Sequence, residues 1–335
     1  MQLALKSHSV RAFAVVIAVF AAACGAAAAL LPGPLIFKAG IAAPSDSVLA
    51  WYMARDAGLY NAQGLWVDIL DMNGGSRGAE ELQAGQIDIM NVGLSSVVHV
   101  NSSGGDLRVV GALANVMPFT FFAAPSIKSA AELKGAIVGV SAFGSESDTA
   151  VTLVLQRLGL TRDDVIIKEY GGATRRLAAL KSGEIKATVL DEPTASLARQ
   201  GGLNVLLDLA PEQMPWLFAA IVVRHADIAA RRDLLTRFLR ATIEGNYIAI
   251  ADDKRAKQIL AKELKITNGK ILNGTYDDFK AQSPQNLEPS VQSVQNVLKL
   301  FPGVSQNTGD YVDTSLIDAL KDGGFFTAMA AKYGK

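Results

Sequence analysis

Two stretches of this chain carry the same punctuation in the same order. Shifted by about 98 residues, Gly74, Ser76, Arg77, Leu82, Gly85 and Ile87 face Gly172, Thr174, Arg175, Leu180, Gly183 and Ile185. Gly40 matches Gly139, and Gly58-Leu59 matches Gly159-Leu160 with a small offset. Further on, Leu107, Val109 and Val110 correspond to Leu203, Val205 and Leu206. Any one pairing is weak, because glycine and leucine are common. Their collinearity predicts two units of related topology.

The spacing within each unit says what the units are. Residues 35–43, 65–70, 87–92 and 107–113 read as strands, and 137–140 and 187–190 as their counterparts in the second unit. Between them lie short glycine-rich turns and stretches with helical periodicity. After Ile137-Val-Gly-Val140, for example, Val151, Val154, Leu155 and Leu158 recur at i, i+3, i+4 and i+7. Ser145 followed by Asp148 is a helix N-terminal capping pattern. Strand–helix alternation of this kind implies α/β lobes, each a doubly wound parallel sheet covered by helices. Residues 217–223 read as a strand crossing back, and from Asp227 onward helical spacing dominates at 231–250, 253–264, 289–300 and 314–320. The expected division is 35–122 plus 223–335 for the first lobe and 123–222 for the second.

Composition narrows the function. The 335 residues carry 32 basic and 32 acidic side chains, with no basic tract, so nucleic acid is not an expected partner. Three histidines (His8, His99 and His225) and one cysteine exclude a Cys/His metal cluster and an internal disulfide, and no metal or other cofactor is expected. Residues 1–30 read as an export signal, with Lys6 and Arg11 ahead of an apolar run over 12–23. Ala21-Ala-Ala-Cys24 resembles a degenerate lipoprotein signal that lacks the usual large aliphatic residue three places before the cysteine. Lipidation at Cys24 and plain cleavage both stay open, as does an uncleaved anchor reaching Leu31. Each alternative places the protein outside the cytoplasm, in the periplasm or on the outer face of the cytoplasmic membrane.

Open α/β sheets bind ligands at the carboxyl ends of their strands, and two facing lobes bring both sets of turns to one cleft. The candidate ligand residues follow from that. In the first lobe they are Ser45, Asp46 and Ser47 on the first turn, Gly75, Ser76 and Arg77 on the second, and Ser95 and Ser96 on the third. In the second lobe they are Gly144, Ser145, Glu146 and Ser147, with Glu192 after the 187–190 strand. Small and hydroxyl residues there let backbone N–H and side-chain O–H groups approach a polar solute, although serine and aspartate also cap helices everywhere. Arg77 is either an anion partner or a solvated arginine. Glu146 either faces the cleft, where it favours an amine-bearing or neutral solute, or stabilises its own helix N-terminus. Phe119, Phe143 and Trp216 are candidate cleft walls, whereas Trp51 shares its helix with buried positions and reads as core.

The sequence also resembles the nitrate/sulfonate/taurine-type (NMT1/THI5-like) substrate-binding proteins of bacterial ABC importers. The resemblance rests on Leu49-Ala-Trp-Tyr-Met-Ala-Arg-Asp-Ala-Gly-Leu-Tyr60, on Gly74-Gly-Ser76 with Leu82-Gln-Ala-Gly-Gln-Ile-Asp88, and on residues 127–140. It continues in Gly144-Ser145, Ala179-Leu-Lys-Ser-Gly-Glu-Ile-Lys-Ala187 and Glu192-Pro193. It implies a type II periplasmic binding protein: two lobes, two hinge crossings and closure around a small sulfonate-, nitrate-, carboxylate- or pyrimidine-like solute. It further implies a monomer that delivers the solute to a membrane permease and is not an enzyme. A biosynthetic enzyme on the same fold and a sensory binding protein are the alternatives. The enzyme would need a nucleophile or an acid–base pair in the cleft.

Overall fold

The computed structural model describes residues 35–334, so the expected signal segment and Cys24 lie outside the described residues. In chain order the strands are β1 (Leu35–Ile41), β2 (Leu65–Asp71), β3 (Ile89–Val92), β4 (Leu107–Val116) and β5 (Thr120–Ala123). They continue with β6 (Ile137–Val140), β7 (Ile166–Glu169), β8 (Ala187–Leu190), β9 (Asn204–Asp208) and β10 (Pro215–Arg224). One sheet has the order β2-β1-β3-β10-β4 and the other β7-β6-β8-β5-β9. With β6 to β9 set against β1 to β4, the two orders are the same. The sequence repeat is therefore a repeat of topology.

Each sheet is parallel at its centre and takes one antiparallel strand. β1 pairs in parallel with β3, and β6 with β7 and β8. β10 runs antiparallel between β3 and β4, and β5 antiparallel between β8 and β9. In both cases the odd strand is the one the chain enters on arriving from the other sheet. The crossings lie at 117–119 and 209–214, a few residues before the expected boundaries at 122/123 and 222/223. The reason is that Thr120–Ala123 already pairs in the second sheet and Pro215–Arg224 in the first. The two crossing segments run side by side, with Met117 N–H donating to Met214 O at 3.1 Å.

The helices after β10 pack on the first lobe. The Arg232–Ala251 helix lies across the Leu49–Asp56 helix, and its Phe238 ring meets Phe37, Trp51 and Tyr60 at centroid distances of 5.2, 5.3 and 5.0 Å. Trp51 is fully buried in this aromatic group. Two helices go beyond the sequence expectation: Gly269–Gln282 and Phe325–Tyr333. The first contains two glycines and an asparagine, which weaken helix propensity. It holds because Asn268 caps it and because Ile271, Thr275, Tyr276 and Phe279 form a buried face. This helix packs against Asp46–Val48 at the edge of the cleft.

The crossing of the Arg232–Ala251 and Leu49–Asp56 helices depends on Gly245. A Cβ there would sit 2.6 Å from the Ala50 carbonyl oxygen and 2.9 Å from the Ala54 nitrogen, both backbone atoms. Gly245→Ala is therefore expected to lose about 1–3 kcal/mol in urea unfolding, despite alanine's better helix propensity. Unchanged stability would contradict this close approach.

Candidate functional site

The strand-to-helix turns of both lobes meet around one cavity of about 620 Å³, counted to its open mouth. From the first lobe come Pro44, Ser45 and Ser47 after β1, Gly75 after β2, and Asn91, Gly93 and Ser96 at the end of β3. From the second come Ser141, Ser145, Glu146 and Ser147 after β6, Gly172 and Arg176 after β7, and Asp191 after β8. Phe119 on one crossing and Phe218 on β10 form an apolar wall, their rings edge-to-face at 5.2 Å.

Glu146 begins the Glu146–Arg157 helix, and its side chain reaches across to the other lobe. Its Oε1 accepts from the Ser95 N–H and its Oε2 from the Trp216 indole N–H, both at 2.7 Å. The carboxylate thus occupies the N-terminus of the Leu94–Ser102 helix, where free N–H groups attract negative charge. Burial raises its pKa and the hydrogen bonds oppose that shift, leaving it at about 7. Gly93 makes room, because a Cβ there would lie 2.3 Å from Glu146 Cγ. Of the two sequence readings, stabilisation of its own helix is not what the carboxylate does. That helix is capped by Ser145, whose Oγ accepts from Asp148 N–H at 3.4 Å.

Two further contacts bridge the lobes near the mouth. Ser76 Oγ donates to the Phe143 carbonyl at 2.7 Å, and Arg77 pairs with Glu169 at 2.8 Å. Glu169 also accepts from the Phe143 N–H.

The cavity is also lined by a buried guanidinium that sequence reasoning missed. Arg176 is 3 % exposed and donates to Gly171 O, Val189 O and Thr188 Oγ1 at 2.7, 3.2 and 3.1 Å. Those three bonds leave donors free of the five that an arginine carries, and none goes to a carboxylate. Burial lowers its pKa to about 10, while the nearby Asp191 opposes that shift. Burial in turn raises Asp191 to about 6, with Arg176 pulling it down. The first lobe contributes neutral groups. Asn91 Nδ2 and the Ser96 hydroxyl are buried with no hydrogen-bond partner. Such groups are costly unless something polar meets them. A faint sequence signal for Arg176 exists: it lies four residues before Leu180, on the face of the helix that Leu177 and Leu180 bury.

The structure divides the expected residues. Ser45, Ser47, Gly75, Ser96 and Phe119 line the cavity, as do Ser145, Glu146 and Ser147. Ser95 touches it only through Glu146, and Trp216 lies beneath that carboxylate rather than forming a wall. Ser76 and Arg77 are spent on the interlobe contacts. Phe143 is 48 % exposed at the rim, because Gly144, at φ 74°, turns the chain directly against His99. Asp46 is buried behind the first turn, and Glu192 pairs with Arg199 at 3.2 Å. Among the described residues no cluster of His, Cys, Asp and Glu is arranged to hold a metal ion, and no helix is long and apolar enough to cross a membrane.

Two α/β lobes of one strand order, crossed twice by the chain and closing polar turns over a shared cavity, define the periplasmic-binding-protein class of fold. The chain belongs to the NMT1/THI5-like family, whose model matches residues 46–256. Its fold is similar to that of a protein from Bordetella bronchiseptica RB50, with a TM-score of 0.76 and 17% identity over 90% of this chain and 98% of that one. It is also similar to the alkanesulfonate-binding protein SsuA from Xanthomonas axonopodis pv. citri bound to MOPS, with a TM-score of 0.67 and 19% identity over 85% and 97% of the two chains. In sequence it is 25% identical over 221 residues to the riboflavin-binding protein RibY of Chloroflexus aurantiacus. That match covers 64% of this chain and 62% of RibY, less than two thirds of the relative's length.

The raised acids set a pH dependence. Glu146 and Asp191 hold protons in the folded state that the unfolded chain has released, so stability falls as pH rises from about 4.5 and levels off above about 7. Glu146→Gln should shrink the difference in unfolding free energy between pH 5 and pH 7.5 by about 1–3 kcal/mol. A variant with the full wild-type slope would place the titration elsewhere.

Proposed function

We propose that the chain is the extracytoplasmic solute-binding protein of an ABC importer, a monomer that holds one small polar solute between its lobes. It then presents that solute to a permease in the cytoplasmic membrane. The observation that carries this reading is the polar mismatch across the cavity. Unpartnered Asn91 and Ser96 on one lobe face a guanidinium with spare donors on the other, so a solute in between completes both sets. The paired crossing segments at Met117 and Met214 are the natural hinge, and the contacts of Ser76, Arg77 and Glu146 are those that closure makes.

The lining bears on the kind of solute. Glu146 already fills a helix N-terminus, so a bare inorganic anion loses the strongest backbone cradle that the cleft offers. Arg176 and the Phe119/Phe218 wall suit a planar or apolar body with one polar or acidic edge, which among the expected classes favours an aromatic acid, an organic sulfonate or a pyrimidine-like ring. The hydroxyls of Ser141, Ser145 and Ser147 bond to one another, an arrangement that suits holding a solute.

A thermal-shift screen of sulfonates, nitrate, aromatic acids, pyrimidines and riboflavin tests the reading. At least one class should raise Tm by several degrees at saturation, as mass action requires of a ligand that binds only the folded state. Arg176→Gln should weaken that ligand tenfold or more while still melting cooperatively. A flat response across the panel, with no solute co-purifying from native cells, would overturn the proposal.

A further inference from the structure

The Glu146 carboxyl belongs to one lobe, and both of its hydrogen-bond donors belong to the other. The side chain leaves the turn after β6 and ends on the Ser95 N–H, beyond β3, and on the Trp216 indole N–H of β10. With the lobes together the residue is 7 % exposed. With the lobes apart its donors are gone and the carboxyl meets water. It also lines the cavity, so closure around a solute and burial of this carboxyl are one movement.

What surrounds the buried carboxyl is neutral. Both donors are uncharged, and Gly93 leaves room for the side chain and nothing more. On its own helix Asp148 is paired with Arg162 at 2.7 Å, and the turn before it, 141–145, carries no charge. On the Leu94–Ser102 helix the titratable side chain is His99, which lies against Gly144. On β10 the charged residue is Arg224, at the far end of the strand and paired with Asp227. The Val291–Leu298 helix packs on both of these elements and has no titratable side chain. Elsewhere on the cavity wall, Arg176 is bonded to two carbonyls and Thr188, and Asp191 is itself an acid. A carboxylate brought from water into such surroundings loses its hydration and gains two neutral hydrogen bonds, with no cation to make up the difference. Binding a proton is the compensation that remains. Burial accordingly outweighs the hydrogen bonds and carries the group from 4.5 to about 7.

We propose that capture is proton-linked: closing the lobes takes up one proton at the Glu146 carboxyl, so the protein holds its solute more tightly as pH falls. This rests on the capture reading, whose regulation it supplies. The closed form binds the proton more strongly than the open form, in which the carboxyl is solvated and ordinary. Affinity is therefore greatest below about 4.5, falls as pH rises through that window and levels off above about 7. Asp191, raised to about 6, titrates within the same window, so variants must separate the two acids.

Benzenesulfonate, nitrate, benzoate, uracil and riboflavin each keep essentially one charge state from pH 5.5 to pH 7.5, so a pH effect on their binding belongs to the protein. Calorimetry with whichever of them raises Tm should show affinity tenfold or more higher at pH 5.5 than at pH 7.5. Repeating the titration at pH 6 in two buffers of different ionisation enthalpy should count about one proton taken up per solute bound. Glu146→Gln, which cannot titrate, should bind equally at both pH values and take up none. Asp191→Asn should keep the wild-type slope, and it decides alone if the glutamine variant does not melt cooperatively. A slope that survives in Glu146→Gln, a slope lost in Asp191→Asn, or wild-type binding without proton uptake overturns the proton link and leaves capture standing. No binding by any of the five, with no co-purified solute, overturns both.

Discussion

The two lobes are held together by a carboxylate that one of them lends to the other. Glu146 leaves the N-terminus of its own helix, crosses the cleft and ends on the first turn of a helix in the opposite lobe, with the Trp216 indole beneath it. The contact is possible only because Gly93 has no side chain at the point of arrival. An oppositely charged partner would make a stronger bond, yet Glu146 meets only neutral donors, and burial therefore leaves it close to protonation. The lobes consequently meet at a group whose charge is easily changed, which suits the opening and closing proposed for the cleft. The peripheral contacts between Arg77 and Glu169 are solvent-exposed and contribute little by comparison.

The internal repeat supplies the frame, and departures from it supply the chemistry. Both sheets present the same three turns to the cleft, but the turns carry different side chains. The position matching Arg176 in the first lobe is Gly78, which packs so closely on Met90 that no side chain fits. The second lobe therefore brings the charged groups of the cavity wall, Arg176, Asp191 and Glu146. The first brings neutral donors, Asn91 and Ser96, and a backbone helix end that Glu146 fills. A polar solute that bridges the two meets a different face on each side, which fixes its orientation.

The fold was largely legible because its signals are local and repeated. Glycine turns, short apolar strands and capping serines occur in both halves, and Ser145 caps its helix as its spacing predicts. The turn residues that line the cavity were legible for the same reason. What escaped were side chains whose roles depend on distant packing. Arg176 lies on a helix face whose polarity makes sense only once β8 is behind it. Phe218 sits inside a strand run that reads as uniformly buried. The helix carrying Asp278 and Gln282 has a weak propensity and owes its existence to tertiary burial. Phe143 and Trp216, read as cleft walls, lie instead at the rim and beneath Glu146, set there by one left-handed glycine and one hydrogen bond.

Closure of the lobes around a solute is open to direct measurement by pulsed electron spin resonance. Spin labels at Ser103 and Asp163, exposed positions on the first and second lobes, would report the separation in a Cys24→Ser background. The free protein should give a broad or two-component distance distribution. Saturation with a solute that raises the melting temperature should collapse it to a single component. A distribution that does not change on saturation would contradict capture by closure, whatever the affinity of the solute.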